Sequence, residues 1–271
     1  MQMDDTNSRS ISDKMTFGGH LEVLRRAFIR VIGVIVFLSI VIFVNKEITF
    51  DMILAPGCND FITYKLINNI LGCIGLPYNA PASSFELIST DLSAQFMTHI
   101  YVSCLLAMVI ASPYILFEAF KFVTPALYES EKKYSVGFAI TIFGLFILGV
   151  LMSYYILLPI SFQFLINYQV DDCVKNTITL DSYISTFTTL VFIMGIVFQL
   201  PVLLLLLNKF GFINRDKLIK YRPHVFLAIL IISAIITPPD IFTLILVSFP
   251  IYALFEVSLI LLHNKRNIRR A

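Results

Sequence analysis

Ser112-Pro113-Tyr114-Ile115-Leu116-Phe117-Glu118-Ala119-Phe120-Lys121-Phe122-Val123-Thr124-Pro125-Ala126-Leu127-Tyr128-Glu129-Ser130-Glu131-Lys132-Lys133 lies between two long apolar runs, and its reading decides how the chain is arranged. As a connector between runs long enough to cross a bilayer, it reads as a loop at a membrane surface. It is not written like a slack linker. Pro113 and Pro125 bracket it, and Phe117, Phe120, Phe122 and Tyr128 supply rigid apolar anchors. Thr124 before Pro125 reads as an N-cap followed by proline at the first helical position, so a new helix opens there. Glu129, Glu131, Lys132 and Lys133 fall in its first turns. Acidic groups suit the positive end of a helix dipole, and they offer carboxylates to a positively charged ligand. A plain loop held at the water interface by its charges fits the same residues.

Working outward, 58% of the 271 residues are apolar and only 14% are charged. Such a chain is not an ordinary soluble domain. Apolar runs of about 20 residues cross a bilayer as helices, because only a helix satisfies its own backbone in lipid. The pattern predicts an all-α integral membrane protein with six spans near residues 27–44, 96–116, 134–158, 183–207, 223–237 and 241–262. Residues 1–26 form an N-terminal segment and 263–271 a tail. The first run is too long for a signal peptide and lacks a small-residue cleavage site, so it is expected to stay in the protein.

Residues 45–95 read as the longest loop, with one amphipathic helix near 61–71. The third span is expected to stop at Pro159, and the sixth to be interrupted by Pro250. The fifth run covers 15 residues, about 22 Å at 1.5 Å per residue, short of a hydrocarbon core of about 30 Å. Short fifth and sixth helices side by side would thin the bilayer locally.

Orientation follows from Lys and Arg placement. Under a six-span arrangement only Lys46, Lys65 and Lys175 fall on one side, and every other Lys and Arg falls on the opposite side. The asymmetry puts both termini in the cytoplasm.

No GxSxG, HExxH, P-loop or GxGxxG occurs, and the histidines (His20, His99, His224, His263) and cysteines (Cys58, Cys73, Cys104, Cys173) show no metal spacing. No cofactor, metal, catalytic role or nucleic-acid partner is expected. Polar side chains at span depth are costly in lipid and therefore functional candidates. Gln199 precedes Pro201 in the fourth span, Thr237-Pro238-Pro239-Asp240 makes a tight turn, and Thr243 and Glu256 lie in the last span. Gln199 reads equally as a hydrogen bond to a neighbouring helix or as a docking point for a partner. Asp240 reads equally as a helix cap, and Glu256 as a paired interface charge.

These motifs, in order, resemble the TatC family, the twin-arginine translocase subunit. The carrying residues are His20-Leu21-Glu22-Val23-Leu24-Arg25-Arg26, Ser112-Pro113 with Phe122 to Lys133, Phe198-Gln199-Leu200-Pro201, Thr237 to Asp240, and Phe249-Pro250 with Leu254-Phe255-Glu256. The resemblance covers about residues 15–262, and the N-terminal half is most similar to members from Bacteroidetes-type bacteria. It implies a multi-pass protein of the bacterial cytoplasmic membrane that binds twin-arginine signal peptides of folded cargo. It also implies recruitment of TatA-like and TatB-like single-span subunits, homo-oligomerisation within a larger complex, and export driven by the proton-motive force.

By the same resemblance, Glu131 and Arg25 belong to signal-peptide binding, with Glu129 as a helper. Gln199, Thr237, Asp240 and Thr243 belong to the polar patch for partners. Three departures stand out. Val23 occupies the position where the family usually has Glu, with Glu22 one residue earlier. Glu22 either serves from a rotated helix or pairs with Arg25 or Arg26 at i+3 or i+4. Gln199 stands for a common glutamate, and Leu244 for a residue often polar in relatives.

A second reading is a secondary transporter for a small solute, with broken helices near Pro201, Thr237 to Asp240 and Pro250 lining a midplane site. Such a carrier would tolerate Glu131→Ala, and a signal receptor would not.

Overall fold

The computed structural model describes residues 17–58, 60–73, 87–123, 135–169, 171, 173, 177–209 and 211–268. Nearly all of them are helical. The elements in order are α1 (Phe17–Val44), α2 (Lys46–Leu54), α3 (Ile62–Cys73), β1 (Leu87–Ile88), α4 (Ala94–Val123), α5 (Ser135–Met152), α6 (Leu158–Asn167), β2 (Ile178–Thr179), α7 (Leu180–Val197), α8 (Leu200–Lys209), α9 (Arg215–Lys220), α10 (Arg222–Ile236) and α11 (Ile241–Ile268). Five stretches are long and apolar enough to cross a membrane: Glu22–Val44, Ala94–Ala119, Ala139–Asn167, Leu180–Lys209 and Ile241–Leu262. α10 is apolar too but shorter than these five.

The core is built around α7. Tyr183, Ile184, Phe187, Leu190, Val191 and Met194 are all buried, at helical spacing, so one continuous stripe of α7 faces its neighbours. Against it lies α5, and the contact is backbone-close because of two glycines. A methyl group at Gly149 would meet the Met194 carbonyl oxygen at 2.6 Å and the Phe198 ring at 2.8 Å. One at Gly195 would meet the Phe146 ring at 2.7 Å. Small residues let membrane helices approach this closely, and van der Waals packing then holds them.

α1 is peripheral. Only 6% of its most apolar window is buried, against 44% for α4. It runs antiparallel to α4: Phe43 stacks on His99 at 4.1 Å near the start of α4, and Arg30 meets Glu118 near its end. At the start of α4, β1 pairs in parallel with β2, matching Leu87 with Ile178 and Ile88 with Thr179. Both strands lead into helices, so the pairing puts the starts of α4 and α7 at one end of the bundle. Residues of α2 and α3 close that end through tyrosines. Tyr183 donates to the Ile53 carbonyl at 2.9 Å, Tyr154 donates to the Met52 carbonyl at 2.8 Å, and the Tyr64 hydroxyl lies 2.9 Å from the carbonyls of Pro56 and Pro159.

Several sequence expectations need correction. Ser112 does not open a loop, because α4 continues through Pro113 to Val123. A proline costs one ladder hydrogen bond, a loss that membrane helices absorb through neighbouring groups. The third span does not stop at Pro159. A π-helical turn, Ser153–Leu157, follows α5, and Pro159 lies in the first turn of α6, where its missing N–H is harmless. The fourth span is instead broken into α7 and α8, since Pro201 cannot donate to the ladder. Pro250 does not interrupt the last span: α11 is 28 residues long, so α10, with 15, is the short helix. The loop over 45–95 carries α2 as well as the expected helix, which is α3 at Ile62–Cys73. The four cysteines are free thiols.

Candidate functional site

The start of α1 and the end of α4 share one end of the bundle, because the two helices are antiparallel neighbours. This end carries Arg25 and Arg26 of α1, Lys209 in the last turn of α8, and the basic α9. Glu22 and Arg26 pair at 2.6 Å across one turn of α1, with both side chains exposed. That is the i, i+4 outcome of the two open for Glu22, and an exposed pair of this kind contributes only a few tenths of a kcal/mol. Arg25 is exposed and has no ion-pair partner among the described residues. Glu129 and Glu131, the two loop carboxylates expected to bind, lie outside the described residues.

Beneath this surface is a polar cluster that sequence reasoning missed. Arg30 Nη2 donates to Glu118 Oε2 at 2.9 Å, and the Tyr114 hydroxyl donates to Glu118 Oε1 at 3.2 Å. The Glu118 side chain is 9% exposed and that of Arg30 49%. A signal was present, since Arg30 and Glu118 are single charges inside otherwise apolar segments. Reading Ser112 onward as a loop hid it, because a glutamate in a surface loop needs no partner.

The residues expected to dock partners occupy two separate places. Gln199 sits in the turn between α7 and α8, where its Nε2 donates to the Ile142 carbonyl of α5 at 3.0 Å. Its Oε1 is buried with no partner among the described residues. The other three cluster at the α10–α11 turn. Thr237 donates to the Ser233 carbonyl at 2.9 Å, Thr243 N–H donates to Asp240 Oδ1 at 2.6 Å, and the Thr243 hydroxyl donates to Asp240 Oδ2. Thr243 is fully buried. Asp240 thus caps α11, with its charge at the positive end of the helix dipole. Asp240→Ala is expected to cost about 1 kcal/mol of stability, the usual value of a lost N-cap. The check is the thermal midpoint of the purified protein, which a surface aspartate without a capping role would leave unchanged.

At the basic end, Arg222 Nη2 donates to Glu256 Oε2 at 2.8 Å, and Tyr252 donates to Glu256 Oε1 at 3.0 Å. Glu256 is therefore the paired charge expected, and it ties the short α10 to α11. Among the described residues no group of three His, Cys, Asp or Glu side chains is placed to hold a metal ion. What this end can do chemically is bind. It presents charged side chains at the start of α1 and on α9, backed by the part-buried Arg30–Glu118 pair.

Comparison with known proteins agrees with this geometry. The family profile for the Sec-independent protein translocase protein (TatC) matches residues 19–250. The Sec-independent protein translocase protein TatC of Blattabacterium sp. subsp. Periplaneta americana is 34% identical over 255 residues, covering 91% of this chain and 94% of that protein. The Escherichia coli (strain K12) protein of the same name is 28% identical over 251 residues, covering 92% and 88%. A crystal structure of the twin arginine translocase receptor TatC superposes with a TM-score of 0.70 at 30% identity, over 89% of this chain and 97% of that one. A second, in DDM, gives 0.72 at 29% identity. A helical membrane protein that matches the family profile over most of its length, and the solved receptor over nearly all of the receptor's, belongs to the TatC family of Sec-independent protein translocase proteins.

Proposed function

We propose that this protein is the signal-reading core of a twin-arginine export system in the bacterial inner membrane. It captures the twin-arginine signal peptide of a folded cargo protein at the basic end, on the cytoplasmic side. The reading rests on the likeness to a solved twin arginine translocase receptor, which extends over 97% of that receptor. Exposed Arg25 and the Glu22–Arg26 pair flank the surface, and Glu131 and Glu129 follow α4 in the chain and supply the carboxylates. A guanidinium fork meeting a carboxylate makes a charge-assisted, often bidentate contact.

Partner subunits of the TatB and TatA kind assemble beside α10. At 15 residues, α10 spans about 22 Å, against about 30 Å of hydrocarbon, so the bilayer thins beside it. Gln199 supports a docking role because its Oε1 lacks a hydrogen-bond donor among the described residues. Copies of this chain associate within the larger complex, and the proton-motive force drives transport.

Binding of a synthetic signal peptide to the membrane-embedded protein tests the reading. Replacing the two signal arginines by lysines is expected to weaken binding about tenfold or more, because an ammonium cannot make the bidentate contact. Equal binding of the two peptides contradicts the reading.

A further inference from the structure

The geometry points to Arg30 and Glu118 as a positioning pair that fixes the rotation of α1 against α4, and so sets the direction of Arg25 at the basic end. This rests on the functional reading above.

α1 packs along α4 through one face only, with Ala27 and Ile42 buried. Most of its surface faces outward: Phe28, Ile29, Val36, Phe37, Ile40 and Val44 are all exposed. A smooth apolar helix against another helix can roll, since lipid tails cover any apolar face equally well. Specific contacts near both ends of α1 oppose rolling. At the far end, Phe43 stacks on His99 at 4.1 Å and meets Phe96 edge-on at 6.4 Å. At the basic end, Arg30 is held by Glu118 at 2.9 Å.

Glu118 is itself held. Tyr114, one turn earlier on α4, donates to its second oxygen, so the carboxylate has a fixed direction before Arg30 arrives. Glu118 is thus a buried carboxylate with two hydrogen-bonded oxygens, in a segment where a lone charge is costly.

The placement suits the role. Arg25 lies five residues before Arg30 on α1, and Val123, where α4 ends, lies five residues after Glu118. Each offset is about 7.5 Å along a helix. The pair therefore sits about one and a half turns below both Arg25 and the last residue of α4. A slip of one residue turns a helix face by about 100°, enough to swing Arg25 off the surface. Arg30 and Glu118 touch no signal residue in this account. They act through Arg25, which shares α1 with Arg30.

The test is signal-peptide affinity of the full-length protein in lipid nanodiscs, measured with an arginine-pair and a lysine-pair peptide. Thermal midpoints are recorded in parallel. Arg30→Glu, which sets two carboxylates against each other, is expected to weaken arginine-pair binding about tenfold or more, with the protein still inserted. Glu118→Arg alone is expected to do the same. The exchanged double variant, Arg30→Glu with Glu118→Arg, restores the pair with opposite polarity and is expected to return affinity to within about threefold of wild type. A pair that only stabilises the fold would move the midpoint and leave the affinity of the inserted protein unchanged. Single variants that bind as wild type overturn the proposal, as does a double variant no better than the singles. A wild-type protein that does not distinguish the two peptides instead overturns the functional reading itself.

Discussion

Glu131→Gln is expected to abolish export of twin-arginine cargo while the protein remains inserted and folded. Glutamine keeps the size and one acceptor oxygen but removes the charge. A hydrogen bond to a charged group contributes about 1.5–3 kcal/mol, so signal-peptide affinity should fall by roughly 10- to 150-fold. Glu131→Asp keeps the charge on a shorter stem and should retain part of the binding. Export of a folded reporter with a twin-arginine signal gives the first readout, and peptide affinity the second. The solute-carrier alternative predicts no change in either. Glu129→Gln, at the helper position, should cost less than Glu131→Gln.

Gly149→Val should have the largest effect on the fold. The new side chain would begin 2.6 Å from the Met194 carbonyl oxygen, and backbone cannot step aside as a flexible side chain can. Overpacking of a well-packed site costs about 1–3 kcal/mol, and here it would wedge α5 away from α7. The displacement would also break the Gln199 bond to the Ile142 carbonyl, which crosses the same interface. The expected result is a lowered thermal midpoint and reduced yield in the membrane. Gly144→Ala on the same helix is the control. Nothing lies within 4 Å of its added methyl group, and alanine is the better helix former by about 1 kcal/mol. It should be neutral or slightly stabilising. Equal behaviour of the two variants would mean that α5 and α7 do not meet through Gly149.

The helix pattern was legible because it depends on composition over long windows. Five helices are long and apolar enough to cross a membrane, and the shorter α10 runs over Arg222–Ile236. Local pairings at helical spacing were legible too: Glu22 with Arg26, and Asp240 capping α11. Prolines misled. Pro113, Pro159, Pro201 and Pro250 look alike in sequence, yet only the break near Pro201 separates two helices. Pro159 enters the first turn of α6, and Pro250 is buried within α11. What decides between these outcomes is whether neighbouring helices supply packing and polar partners, which is tertiary information.

The Arg30–Glu118 pair shows the same limit. Its members are 88 residues apart in sequence, and no periodicity links them. The glycine contacts between α5 and α7 were hidden for a related reason: Gly144 and Gly149 share a helix, and only the neighbour's position makes one crowded and the other open.

The central claim is that a signal peptide is read where α1 begins and α4 ends. A photoreactive amino acid placed singly at 22, 25, 129 or 131, with controls at Leu92 and Ile156 toward the opposite end, tests it most directly. The account predicts that an arginine-pair signal peptide crosslinks from the first four positions, and that a lysine-pair peptide largely does not. Crosslinking confined to Leu92 or Ile156, or indifferent to the arginine pair, would contradict it.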